Sequence, residues 1–388
     1  MLKLSKLFFA LGTNETFVDR ILPTSDEHNS LLKAKNSISA HLREGIRNAT
    51  VQVLGMDRPV TPRFRTQGSW RYDTCVRPAH NPPQEMDWDL GVYLPTAVWE
   101  ENGPPRAMAK AYFTLVEGLL AQLCADNDWT LDKTKKTCSR VRISRSAHID
   151  VPLYAAAEEQ FVKIMEKHAI FGKSVALESA RADSQMTMDS AEEQTWDELE
   201  GVVLANRSGE WIHSDPNNVA KWFENHIHEH GPQLRRVSRY VKAWRDQQWP
   251  EGGPSSVAMM VIVARNFEKC DGRDDIALER AAMHLSTELC HDVREDGIDD
   301  GTANFNNLEE SERHEASQRA SLLGQAIRAA RGYNIAQKQA AIATMTTHFG
   351  PRIPNQPDWI DADSGADDVR RTPAKHVPPP AVGATSAG

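Results

Sequence analysis

The sequence predicts a mixed α/β fold of the α+β kind, with strands and helices sharing the first half of the chain and helices dominating the second. Three observations carry this. Stretches such as "MDWDLGVYL", "CSRVRISRSA" and "AHIDVPLYA" alternate apolar and polar residues with the two-residue period of a strand. Five later stretches, from "NNVAKWFENHIHEHG" to "RHEASQRASLLGQAIRAARGYN", repeat apolar residues at helical spacing, and several stop at Gly or Pro. With 388 residues, 40% hydrophobic and 26% charged, the chain has the apolar material for a sizeable core and an ordinary charged surface.

In order along the chain, residues 25–55 place Leu31, Leu32, Ile38, Leu42 and Ile46 near helical spacing and read as a helix with one polar face. "RPVTPRFRTQGSWRYDT" mixes prolines, a Gly-Ser pair and basic residues, which reads as a loop entering a short strand or turn. The strand "MDWDLGVYL" follows, then a long helix at "AKAYFTLVEGLLAQLCADN", then the two strands named above. An acidic, polar segment from Glu178 to Glu200 reads as a loop or flap, and the helical half begins beyond it. From Pro354 onward Pro, Asp, Ala, Gly and Ser dominate, a composition expected to stay disordered.

Charge and cysteine usage exclude several classes. A net charge of −9 and a pI near 5.9 argue against a general nucleic-acid coat, so no obligate nucleic-acid partner is expected. A small anionic substrate needs only a local basic site or a metal. The five cysteines lie far apart with no C-x-x-C, which points to neither a zinc site nor a disulfide framework and fits a reducing cytoplasm. The apolar run "LFFAL" near the N-terminus is too short for a secretory leader, and no stretch approaches the 18 or so apolar residues of a membrane span.

The stretch "QEMDWDLGVYLP" poses the chemical question. Side chains alternate faces along a strand, so Asp87 and Asp89 point the same way, and adjacent carboxylates repel unless a cation lies between them. Upstream, "TQGSWRY" supplies a Gly68-Ser69 turn whose backbone can approach a phosphate. Downstream, "AHIDVPLY" sets Asp150 in another strand. Each feature alone reads as an ordinary turn or an edge residue. Together they form the layout of two-metal phosphoryl transfer, in which three carboxylates hold two Mg²⁺ ions, with Mn²⁺ as an alternative. One ion would activate a ribose hydroxyl and the other would hold the triphosphate and the departing pyrophosphate. His148 shares the strand face of Asp150 and reads as a structural, hydrogen-bonding histidine. In "LRRVSRYVKAWRD", an apolar stripe of Leu234, Val237, Val241 and Trp244 lies beside a basic one of Arg235, Arg239 and Lys242, and "GGPSS" follows with two hydroxyls.

These blocks, "TPRFRTQGSWRYDTCVRP", "QEMDWDLGVYLP", "KKTCSRVRISRSAHIDVPLYA", "EWIHSDPNNVAKWF" and "LRRVSRYVKAWRDQQWPEGGPSSVAMM", occur in the order that resembles the bacterial cGAS/DncV-like nucleotidyltransferases. The resemblance runs from Thr61 to Asp300. It implies a polymerase-β-like nucleotidyltransferase core over residues 1–200, a helical lobe over 201–350 completing the nucleotide pocket, and a disordered tail over 351–388, with the active site in the cleft between the lobes. It implies joining of two NTPs, ATP and GTP, into 3′,3′-cyclic GMP-AMP as a second messenger in anti-phage defence, with a different base pair or a linear product as alternatives.

By the same resemblance Asp87, Asp89 and Asp150 are the catalytic, metal-binding carboxylates, and Gln67, Gly68 and Ser69 form the nucleotide-cradling turn. Tyr72 contacts a nucleotide, Arg140 bears on guanine preference, and Ser214, Lys242, Ser256 and Asp300 hold base, ribose or phosphates. Arg65 stands where a relative carries an aromatic residue, which speaks against folate-type regulation. The implied partners are an effector bound by the product, such as a phospholipase, and a ubiquitin-activating-like enzyme that conjugates the unhindered carboxylate of Gly388.

Overall fold

The computed structural model describes residues 1–96, 104, 106–159, 162, 201–214, 216–299 and 301–362. The segment Glu178–Glu200, Asp300 and Gly388 lie outside the described residues. A seven-stranded mixed sheet organises the first half. Arg63–Gln67 pairs antiparallel with Met86–Thr96, which runs parallel to Ala147–Ala157. Cys138–Arg142 pairs antiparallel with the other edge of Ala147–Ala157 and carries Thr130–Asp132 outside it. The short strands Val203–Ala205 and Trp211–His213 extend the sheet from Tyr154 and Ala155.

The even-numbered residues of Met86–Thr96 and the odd-numbered ones of Ala147–Ala157 make the back face. Leu90, Val92, Leu94, Ile149, Val151 and Leu153 are buried there in one cluster with two helices, Ser25–Leu54 and Arg106–Asp126. The first helix begins at a capping box: Glu27 N–H donates to Thr24 Oγ1 (3.2 Å), and Thr24 N–H donates to Glu27 Oε2 (2.8 Å). It stops at Gly55, whose φ of 67° a side chain would disfavour. Leu31, Ile38, Leu42 and Ile46 are all buried, as their spacing predicts.

The second half packs around the helix Pro232–Gln248. Its stripe of Leu234, Val237, Val241 and Trp244 is fully buried among the helices Pro216–His230, Ser256–Arg265, Asp274–Glu288, Glu310–Gly332 and Lys338–Phe349. No helix among the described residues is long and apolar enough to cross a membrane.

Two placements differ from the expected division. The N-terminal segment belongs to the helical half: Leu2, Leu4, Leu7, Phe8, Phe17 and Ile21 join its core. Phe8 and Phe17 pack against Tyr240 and Phe349 with ring centroids 5.0–5.9 Å apart. The buried Asp275 takes hydrogen bonds from Leu4 N–H (3.0 Å) and Ser5 Oγ (2.5 Å) and is paired with Arg273 (2.9 Å). Residues 351–362, expected to belong to a disordered tail, are instead packed: Ile353 and Ile360 are buried and Asp361–Ala362 pairs antiparallel with Leu2–Lys3. A few apolar anchors fix this stretch despite its prolines.

Candidate active site

The front face of the sheet carries the polar residues, and strand register places them. Across the parallel pair Asp87 stands opposite His148, and Asp89 opposite Asp150. Arg140 stands opposite Asp150 from the other side, and Gln67 opposite Asp89. Neighbouring strands lie about 4.8 Å apart, so residues from four segments of the chain meet on one patch.

The turn at Gly68 is tied to this patch by steric necessity. Gly68 has φ 61°, and a Cβ there would lie 2.0 Å from Asp89 Oδ2. Only glycine allows the backbone to pass this close to the carboxylate. The neighbouring Trp70 donates from Nε1 to Asp87 O (3.0 Å) and stacks on Trp88 at 4.5 Å, which pins the turn to the strand. Burial in the cleft and then the charges of Asp87 and Asp150 raise the Asp89 carboxyl well above its ordinary range.

A cavity of about 430 Å³ lies between this patch and the helical half, and Gly68, Ser69, Tyr72, Asp87, Asp89 and Arg140 line its sheet side. Lys242 and Ser256 line the opposite wall. Lys242 Nζ donates to Thr74 O (2.9 Å), and burial lowers its pKa. An ammonium has three donors, so donors remain for an anion. Arg239 and Arg235, expected beside Lys242, turn instead to Asp73, at 2.6 Å and 3.8 Å. Ser214 lines a second cavity of about 700 Å³ with Asp299 and Thr302, the neighbours of Asp300. Tyr72 lines both cavities and joins the two groups of expected contacts.

Two side chains do something other than expected. Gln67 does not face the cavity: it is buried, donates from Nε2 to Tyr93 Oη (2.5 Å) and accepts from Tyr154 Oη (3.2 Å). It lies on the same face as Asp89, over Gly91, and reaches along the sheet to the stacked Tyr93–Tyr154 pair, so it braces the turn from beside the carboxylates. Arg140 lines the cavity, but its Nε and Nη2 clamp both oxygens of Asp150, at 2.7 Å and 2.8 Å. Burial in the cleft opposes the charged guanidinium, and the Asp150 hydrogen bonds and charge outweigh it, so its pKa rises.

The donor set fits a divalent cation. Asp87, His148 and Asp150 each offer one ligand atom within 4.8 Å of the others. Asp87 Oδ1 and His148 Nε2 are buried without any hydrogen-bond partner. Glu85 was missed in the sequence, although the alternation that selects Asp87 and Asp89 also places Glu85 on their side. Its Oε2 lies 2.6 Å from His148 Nδ1, and its Oε1 accepts from Arg142 Nε (3.1 Å).

Residues 62–154 match the family model described as cyclic GMP-AMP synthase DncV-like, nucleotidyltransferase domain, and residues 231–362 match the cyclic GMP-AMP synthase C-terminal domain. Residues 62–154 thus belong to the DncV-like nucleotidyltransferase domain family, and residues 231–362 to its companion C-terminal domain family. A cyclic GMP-AMP synthase of Vibrio cholerae is 39% identical over 244 residues, 60% of this chain and 54% of that protein. One of Escherichia coli is 39% identical over 212 residues, 54% of this chain and 48% of that protein. The chain thus aligns in sequence with about half the length of these relatives. Likeness of fold extends further: the crystal structure of V. cholerae DncV cyclic AMP-GMP synthase with the linear intermediate 5′ pppA(3′,5′)pG has a TM-score of 0.74 and 26% identity, covering 94% of this chain and 99% of that one. The family is polymerase-β-like, and the sheet and helical half described above are its two lobes.

Proposed function

We propose that the protein is a cyclic dinucleotide synthase that joins ATP and GTP into 3′,3′-cyclic GMP-AMP, releasing one pyrophosphate for each of two linkages. The observation that carries this reading is the contact of Gly68 with Asp89, which brings a phosphate-holding turn against the acidic patch. The cyclic GMP-AMP synthases among its relatives and the linear intermediate in the V. cholerae enzyme support the product and the order of events.

In this reading the Ser69 hydroxyl and the Gly68–Ser69 backbone hold a triphosphate from one side of the cavity, and Lys242 and Ser256 hold nucleotide from the other. Asp87, Asp89 and Asp150 would hold divalent cations, Mg²⁺ or Mn²⁺, which supply a lowered pKa for the attacking 3′-hydroxyl and neutralise the triphosphate. Arg140 keeps the Asp150 carboxylate oriented, so its bearing on guanine preference is indirect. Tyr72, between the two cavities, separates the nucleotide sites, and Ser214 serves the second; a nucleotide contact by Asp300 rests on the resemblance alone. The linear dinucleotide turns over between the two bond-forming steps.

The same reading assigns the product to an effector in cytoplasmic anti-phage signalling, a phospholipase being one candidate, and Gly388 to conjugation by a ubiquitin-activating-like partner. The test of the enzymatic core is incubation with Mg²⁺ and all four NTPs, followed by phosphatase and mass spectrometry. A phosphatase-resistant cyclic GMP-AMP is expected. Purely linear products would overturn cyclisation, and a resistant product with other bases would overturn the assignment of ATP and GTP.

A further inference from the structure

We propose that His148 is a nitrogen ligand of the bound divalent cation and that it tilts this site toward Mn²⁺ over Mg²⁺. The inference rests on the metal site proposed above and goes beyond its carboxylates. His148 Nδ1 lies 2.6 Å from Glu85 Oε2, and a carboxylate can only accept. Nδ1 therefore carries a proton, and in the neutral ring this leaves the lone pair on Nε2. That is the carboxylate–histidine–metal arrangement by which proteins fix an imidazole for coordination. Glu85 is itself held by Arg142, so the ring is anchored from two residues back.

Nε2 then faces acceptors alone. It is 3.1 Å from Asp87 Oδ1 and 3.9 Å from Asp150 Oδ1. The side chain is 6% exposed, and neither Nε2 nor Asp87 Oδ1 has a hydrogen-bond partner. Two buried acceptors set against each other are costly unless a cation lies between them. Their separation suits coordination: neighbouring corners of an octahedron with ligands about 2.1 Å from the metal lie about 3 Å apart. The competing arrangement is an imidazolium donating to both Glu85 and Asp87. It would make Nε2–H a hydrogen-bond donor to Asp87, and the ring is not aligned for that bond. A mixed nitrogen and oxygen set discriminates between ions, because Mg²⁺ takes oxygen donors whereas Mn²⁺, further along the affinity series, is less averse to imidazole.

The experiment is pulsed electron paramagnetic resonance on the full chain loaded with Mn²⁺ alone, without nucleotide, at natural abundance and with ¹⁵N-histidine. Nitrogen modulation that changes to the ¹⁵N pattern on labelling is expected. His148→Gln, which keeps an oxygen donor, should abolish it and lower Mn²⁺ affinity about 10–100-fold, with Mg²⁺ affinity changed by less than about threefold. Mn²⁺ bound without nitrogen modulation would overturn the assignment of His148 and leave the carboxylate site standing. So would equal losses for both ions in the variant. Failure of the wild type to bind Mn²⁺ at all would overturn both. The labelled wild type decides the matter even if the variant does not fold.

Discussion

Along the strand Met86–Thr96, Trp88, Leu90, Val92 and Leu94 point to one face of the sheet, and Asp87, Asp89 and Tyr93 to the other. The back face is arranged as burial prefers, aliphatic against aliphatic beneath two helices. The front face does what folding alone would avoid: it places Asp87, Asp89 and Asp150 side by side and leaves buried polar atoms unsatisfied. One strand thus carries both the stability of the fold and a cost set against it. The contrast teaches that packing alone does not account for Asp87 and Asp89, whereas Asp150 is at least held by Arg140.

Changes on each side should separate stability from activity. The largest effect belongs to the double substitution Asp87→Asn, Asp89→Asn, which should lower turnover at least about 10³-fold. The thermal midpoint should hold or rise, since repulsion is relieved; a fall would mean that the front face also supports the fold. Ile149→Ala, on the back face, should cost about 2–5 kcal/mol in denaturant unfolding while kcat and KM of the folded protein stay near wild type. Gly68→Ala sits at the boundary. Its positive φ should cost about 1–2 kcal/mol, and displacement of Asp89 should reduce turnover about 10²-fold. Unchanged turnover would remove the turn from the site.

The smallest effect is a pH slope. The Asp89 carboxyl titrates higher in the folded chain than in the unfolded one, so the folded state binds more protons between the two pKa values. Stability of the metal-free protein should therefore fall as pH rises from about 4 through the raised value, by at most about 1.4 kcal/mol per pH unit. Asp89→Asn should flatten that slope in thermal scans across pH. Stabilisation by added Mg²⁺ should grow with pH over the same window, as binding requires the deprotonated carboxylates.

Much of this division is legible in the sequence, and what escaped has physical reasons. Period-two alternation selects Asp87, Asp89 and Asp150, and the same rule carried one step back reaches Glu85. What alternation cannot supply is register. Nothing local to either strand says that Asp87 stands opposite His148, 61 residues away, so the histidine reads as structural and its facing acceptors stay hidden. Gln67 misleads because a residue beside a flexible turn looks like part of it, whereas two tyrosines further along the same face, Tyr93 and Tyr154, hold its amide. The segment "MLKLSKLFFALG", weighed as a leader, supplies Leu4, Leu7 and Phe8 to a core most of whose members lie between Ala220 and Ile360. The helix Lys338–Phe349 escaped for want of a strong apolar stripe, though Ala341, Ile342, Met345 and Phe349 are buried.

The placement of that N-terminal segment has a consequence in time. Leu4 N–H bonds to Asp275, 271 residues further on, and Leu2–Lys3 pairs with a strand at residues 361–362. On a ribosome moving at roughly 5–20 residues per second, Phe8 and Phe17 wait tens of seconds with their own lobe still unmade. The sheet, whose strands and first helix all lie before residue 214, can close in that interval. Synthesis order and assembly order therefore run opposite ways in the helical lobe, and apolar residues made well before the rest of their lobe are among the last to be covered.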